Sequence, residues 1–512
     1  MNTQSKDTKE ASELLRQLEQ AVFEKRPVLG ETYRQHGDLS LFEFTKRQFD
    51  IPNNSVPEER KHELLDVISK QAERLLGATI AQSITTQLTN NYSVVTSDHH
   101  GPITHPDFVN SNLLNSFAMQ ENVQEGLNTI IVLSFANVSL DNFSFPRGHL
   151  VHSLSSGGVS LNQLVFFPSK DRQRPVFRLP SYAKESLIAV KERVDGWVAD
   201  GIFGAKYAEQ IGILLEEIYN TPQMLSQPLF SDQITLGNFH LWKKLFPSKP
   251  NLCYIEIETI INELLLQYHL YQDTTVHRLL FDEEHHTLLP KYFEAITGAF
   301  SLQNRTGSYL FWALPKDQKY RMQLFKVGKE LVTPDGSYRV SLSPESIGLA
   351  LREKELIPST LLCFIVLGFY YGLCLIGGGG QTTYFTRMKE AYAAMQKVVG
   401  DGEKLTVYQD VPTNRLSFPY PSIAFLKGAK DEPVPATFLD ILLYGDKHAL
   451  DVIRKMAETV TLKQGLTREL PGLAAMLHEG NDPGGAMNGV TSGQIDEMTG
   501  MNKRLQFFAS LT

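Results

Sequence analysis

Between Ser359 and Ile376 the chain runs for eighteen residues without a charged side chain, and nearly all of them are apolar. Such a run has two physical homes. In a bilayer, about 20 apolar residues cross the hydrocarbon as a helix. The Gly368-Phe-Tyr-Tyr-Gly372 spacing would let such helices approach closely. Inside a water-soluble fold the same run is a helix buried all round. This run is only just long enough for a span, its flanks have ordinary soluble composition, and no second span accompanies it. The reading is a buried core helix over 359–376.

Composition agrees with a globular enzyme-sized protein. The chain has 512 residues, 42% hydrophobic and 21% charged, enough for a large core and two to four structural units. The net charge of −8 is mild, and no basic run offers itself to a phosphate backbone, so nucleic acid is not an expected partner. Cys253, Cys363 and Cys374 form no Cys-x-x-Cys, which favours a reducing compartment and gives no thiolate zinc site. Met1–Glu10 is polar and of mixed charge, unlike a signal peptide, and a cytoplasmic protein is the default expectation.

The expected fold is α/β with some α+β character: a central sheet flanked by helices, a helical N-terminal cap and an antiparallel meander near 307–342. Residues 1–88 read as the cap. Helices are expected over 7–26 and from Ser55-x-x-Glu58 onward, with a turn at Pro52-Asn-Asn54 between them. Residues 89–305 read as the α/β core. Tyr92–Thr96 and the branched apolar run Thr129–Phe135 are strands, separated by a helix over 107–119. Parallel pairing would place the loop after the first strand where open α/β sheets bind ligands; antiparallel pairing would not. Tyr254–Gln267 fits either a strand entering a helix or a single helix, and Val276–Phe281 reads as a strand. Residues 306–477 hold the meander, the apolar helix, short strands at Leu405–Tyr408 and Ile423–Leu426, and a long helix over 436–464. The tail, 478–512, begins rich in Gly, Asn and Asp.

Candidate chemistry concentrates in Asp98-His-His-Gly-Pro-Ile-Thr-His105, with three histidines and one aspartate in eight residues. Imidazole titrates near neutrality and ligates metals through either nitrogen. On extended backbone Asp98 and His100 point to one side and His99 to the other. His105 folds back beyond Gly101-Pro102. With one histidine from His149 or His152, the set Asp98, His100, His105 and (by preference) His152 would suit a divalent transition metal, namely zinc, iron or manganese. Without metal, one histidine serves as general base and Asp98 fixes its tautomer. The competing structural reading is a polar loop that caps the next helix.

Two further groups join the candidate site. Arg147-Gly-His149-x-x-His152 offers a guanidinium fork for a carboxylate or phosphate and two histidines, although on a strand those histidines face opposite sides. Four glycines, Gly377–Gly380, lead into Gln381, Tyr384 and Arg387. There Gly379 and Gly380 let backbone approach a ligand, and the following helix start can receive an anion. The bland alternatives are a surface ion pair for Arg147 and a tight turn for the glycines. Glu283-Glu-His-His286 reads as helix-start polarity rather than a metal site. No Gly-x-Ser-x-Gly or His-Glu-x-x-His is present.

The expectation is an enzyme acting on a small polar substrate that bears a carboxylate or phosphate, by metal-assisted hydrolysis or group transfer. Asp98, His99, His100, His105 and Arg147 would be catalytic. Metal-free acid/base transfer and a non-catalytic binding or membrane-associated role are the alternatives.

Overall fold

Four short strands, all parallel, hold the centre of the molecule: β1 (Ser93–Val95), β2 (Thr129–Ser134), β3 (Asn251–Glu256) and β4 (Cys374–Ile376). Their order across the sheet is β4-β1-β2-β3. The computed structural model describes residues 3–51, 55–121, 128–142, 147–155, 158–400, 407–417, 421–477 and 491–511.

Every residue of the four strands is buried, as a sheet covered on both faces requires. Side chains alternate between two apolar cores. Val95, Ile130, Val132, Leu252, Cys374 and Ile376 enter one. Val94, Ile131, Leu133, Cys253, Ile255 and Leu375 enter the other. Each fully buried aliphatic side chain contributes about 1.5–3 kcal/mol, so the continuous apolar runs at 130–133 and 252–255 specify both the strands and their double cover.

Parallel strands need long crossovers. The connection from β1 to β2 contains α1 (Pro106–Glu121). That from β2 to β3 contains an antiparallel hairpin, Gly148–Ser155 with Gly158–Val165, and helices over Lys184–Ala199, Ala205–Leu214 and Phe230–Leu245. Tyr254–Gln267 is a strand end running into a helix, Ile257–Leu264. The two expected N-terminal helices are Thr3–Lys25 and Glu58–Leu76; Pro27–His36, Leu41–Gln48 and Ala78–Asn90 are further helices of this region. The meander is present as Phe325–Val327, Glu330–Val332 and Arg339–Ser341, antiparallel throughout. A second antiparallel sheet includes Phe311–Ala313, Met322–Gln323 and Leu356–Pro358.

The apolar run is not one helix. Its first part is α2 (Thr360–Phe364), which widens into a π-turn over Ile365–Tyr370. Gly372 then turns the chain at φ +68°, and Cys374–Ile376 is β4. A Cβ at Gly372 would lie 2.2 Å from Val56. Both halves are uncharged because both are buried, so composition could not separate helix from strand. Among the described residues no helix is long and apolar enough to cross a membrane.

Other local expectations are corrected too. Val276–Phe281 lies in a helix, Thr275–Phe281, started by the Thr274 hydroxyl accepting from the His277 amide. Six residues are too few for periodicity to distinguish the two states. The long helix over 436–464 is three helices, Phe438–Tyr444, Ala449–Thr459 and Leu462–Leu477. The expected strand at Leu405–Tyr408 ends in a helix, Val407–Asp410, with residues 405 and 406 outside the described chain. The turn at 52–54 and most of the Gly/Asn-rich segment, 478–490, are also outside it. Within the tail, Ser492–Thr499 is a helix with a Thr491/Gln494 capping box.

Candidate functional site

Because all four strands are parallel, their carboxyl ends share one edge, where open α/β sheets place ligands. After β1 comes Thr96–His100; after β2, Phe135–Asn137; after β3, Ile257 and Glu258; after β4, Gly377–Gln381. The histidine loop and the glycine loop are therefore neighbours, since β1 pairs with β4. The Gln381 side-chain amide ties them: its Nε2 donates to Thr96 Oγ1 at 2.6 Å. A Cβ at Gly377 would lie 2.2 Å from Gln381 Cδ, so that glycine makes room for this link. Gly379 and Gly380 open α3 (Gly379–Val399), and a Cβ at Gly380 would meet nothing within 4 Å.

The members of the histidine loop part company. Asp98 is fully buried, accepting from Ser97 Oγ at 2.6 Å, from Asn112 Nδ2 at 3.2 Å and from the Tyr254 hydroxyl. Burial raises its pKa and the three donors oppose the shift. His100 is also buried, with Nε2 donating to the Ser231 carbonyl at 2.9 Å. Nδ1 is then the acceptor for Ser134 Oγ at 2.7 Å. With both nitrogens engaged, His100 is a structural pin between the loop, β2 and the helix Phe230–Leu245. His105 sits before α1, where burial lowers its pKa to about 4; burial raises that of nearby Asp107 to about 7.

His99 remains at the sheet edge. It extends β1 by a bridge to Phe135, and its Nδ1 lies 3.2 Å from Asn142 Oδ1. Asn142 Nδ2 donates to the Ser139 carbonyl, which turns its Oδ1 toward the imidazole. Nδ1 is therefore the donor in this bond. Burial holds the His99 pKa down, and the charge of Arg321 adds to the effect.

Arg147, His149 and His152 do not join this edge. Arg147 Nε pairs with Asp141 at 3.0 Å, and its Nη1 donates to the Phe167 carbonyl. His149 Nε2 meets the Tyr219 hydroxyl at 2.6 Å, and burial depresses its pKa to about 3. His152 Nδ1 donates to Asp440 at 2.6 Å. The hairpin strand carrying these two histidines packs against Phe438–Tyr444 instead. Asp98, His100, His105 and His152 are thus held by separate partners. Among the described residues no group of three or more His, Cys, Asp or Glu side chains is placed to hold a metal ion. Arg387 is exposed. Tyr384 stacks on Phe364, with ring centroids 5.9 Å apart.

Four residues that sequence reading passed over complete the edge. Glu258, fully buried, accepts the Ala136 amide at 2.8 Å and the Asn137 amide at 3.0 Å. Burial and then the charge of Glu256 push its pKa up to about 8. Arg321 Nη1 donates to the Asn137 carbonyl and to Asn137 Oδ1 at 3.1 Å. Its guanidinium lies 4.3 Å over the Trp312 ring. An acid two positions into a helix, after the apolar run Leu252–Ile255, was the available signal for Glu258. Arg321 had none, since nothing in the meander marks one arginine for the sheet.

Asn137, Trp312 and Arg321 line a cavity of about 450 Å³ together with Gly298–Ser301, Ser359 and Thr360. A Cβ at Gly298 would lie 3.4 Å from the Tyr384 ring, so α3 backs this wall. Around it Ala295, Arg305 and Leu310 hold φ values of 62°, 52° and 58°. Left-handed backbone at non-glycine residues costs about 1–3 kcal/mol each and clusters at ligand sites. A larger groove of about 870 Å³ lies between Lys184–Ala199 and Ala205–Leu214, but it is mainly apolar with an acidic rim and lies off the sheet edge. Comparison with known protein families and with curated proteins finds no match for this chain.

Proposed function

We propose that the chain is an enzyme that binds a small anionic substrate over the carboxyl ends of its parallel strands and moves a proton on it during group transfer or hydrolysis. One observation carries this reading: the 450 Å³ cavity meets the sheet edge at Asn137 and Arg321, with His99 within electrostatic reach of Arg321. Its size is that of a small-molecule pocket. Arg321 supplies the positive charge, the His99 imidazole the group that exchanges a proton, and Glu258 positions the Ala136–Asn137 backbone. His99 is held neutral while Glu258 is held protonated to about pH 8. Titratable groups pushed in opposite directions at a ligand-binding edge are what acid/base sites require.

The test is a thermal-shift screen of small carboxylates and phosphates on the wild type, Arg321→Ala and Arg147→Ala. Ligands that raise the melting temperature of the wild type and of Arg147→Ala, but not of Arg321→Ala, support the reading. Stabilisation that persists in Arg321→Ala overturns it.

A further inference from the structure

The cavity wall has an unusual polar inventory. Asn137 is 5% exposed, and its Nδ2 has no hydrogen-bond partner. An unmet buried donor costs about 1–3 kcal/mol, so this atom is poised for an acceptor that the protein itself does not supply. The amide orientation is fixed, because Oδ1 already accepts from Arg321. Arg321 spends Nη1 on Asn137, and stacking over Trp312 sets the plane of its guanidinium. Ser359 Oγ accepts from the Leu362 amide at 3.3 Å, which leaves its hydroxyl proton to donate.

The charge is equally informative. Arg321 is the one charged side chain among the residues lining the cavity. Behind it stand Glu258, within electrostatic reach of Arg321, and Glu256. Glu294, at the cavity's outer loop, is occupied by Ser301 Oγ and the amides of Leu302 and Gln303. A dianion would face a single guanidinium, with Glu256 behind it and Glu258 protonated, so nothing else on the wall offsets its second charge. A planar monoanion matches one guanidinium edge and one amide donor.

We infer that the cavity is a receptor for a carboxylate, held between Arg321 and Asn137 Nδ2 with Ser359 as a further donor, and that it discriminates against phosphate dianions. This rests on the reading of the cavity as the substrate site.

Two matched pairs of probes test it: acetate against inorganic phosphate, and benzoate against phenyl phosphate. Binding is read by calorimetry on the full chain and by tryptophan fluorescence. Of the three tryptophans, Trp242 is fully buried in the core and Trp197 lies on the helix Lys184–Ala199, so Trp312→Phe identifies the cavity signal. At least one carboxylate is expected to bind saturably, about tenfold or more tighter than its phosphate counterpart, and to lose about tenfold or more in Arg321→Lys and in Asn137→Asp. A phosphate that binds as tightly as its carboxylate partner, with a Trp312 signal, overturns the carboxylate assignment and leaves the site standing. Binding of no probe, or binding with no Trp312 signal and no response to Arg321→Lys, overturns both. The wild-type fold of each variant is checked by its melting temperature and circular dichroism, and Asn137→Ser, which keeps a smaller donor, is expected to retain more affinity than Asn137→Asp.

Discussion

Arg321 and Asn137 stand 184 positions apart in sequence, yet Arg321 Nη1 donates to Asn137 Oδ1 at 3.1 Å. That bond fastens the irregular antiparallel region to the carboxyl edge of the parallel sheet. It also commits Asn137 Oδ1 to the arginine, while Nδ2 of this cavity-lining residue has no hydrogen-bond partner. The two residues are each unremarkable alone; their pairing gives the proposed site its guanidinium and its amide.

The glycine loop gives a paired prediction. Gly377→Ala places a methyl 2.2 Å from Gln381 Cδ and must displace Gln381 from Thr96. Losing that buried bond is expected to cost about 1–3 kcal/mol in urea unfolding. Gly380→Ala meets nothing within 4 Å in the first turn of α3. It should be neutral or stabilise by up to about 1 kcal/mol, because alanine has less backbone entropy to lose.

Glu258 predicts a pH dependence with a definite sign. Its folded pKa, about 8, lies above the ordinary 4.5. A raised carboxyl pKa means the folded state holds the proton more tightly than the unfolded one. Its contribution is fully present below about pH 4.5 and is lost as pH rises through about 8. Glu258→Gln removes that titration. The stability difference, wild type minus variant, should therefore fall between pH 5 and pH 9. A difference that is flat or rises across this window would show that Glu258 is ionised in the fold.

His152 separates structure from function. Its bond to Asp440, at 2.6 Å, joins the hairpin to the capping box of Phe438–Tyr444. His152→Ala is expected to cost about 1.5–3 kcal/mol, as for a hydrogen bond to a charged group. Ligand affinity measured on the folded variant should not change. A large loss of affinity without loss of stability would return His152 to the site.

Much of the sheet was legible because burial on both faces leaves a continuous apolar signature at Thr129–Ser134 and, less distinctly, at Asn251–Glu256. The parallel pairing of β1 and β2 answers the question that periodicity left open, and it brings the two suspected loops to one edge. What was not legible has a common cause. A histidine's role depends on what its second nitrogen meets, and His100, His149 and His152 meet residues 131, 70 and 288 positions away. His99 and His100 are adjacent in sequence, yet one stays at the edge and the other is pinned beneath it. The apolar run at 359–376 failed as one helix because a positive-φ turn at Gly372 leaves no trace in hydropathy. Arg321 escaped notice because its value comes wholly from Asn137 and Trp312.

The most direct measurement is a crystal structure of the full chain grown with the tightest-binding carboxylate from the probe titrations. The ligand's carboxylate is expected within hydrogen-bond distance of both Asn137 Nδ2 and Arg321, with its body over Gly298–Ser301. Density for the ligand elsewhere, whether in the groove between Lys184–Ala199 and Ala205–Leu214 or against Arg147, with the Asn137–Arg321 cavity holding none, would contradict the placement of the site.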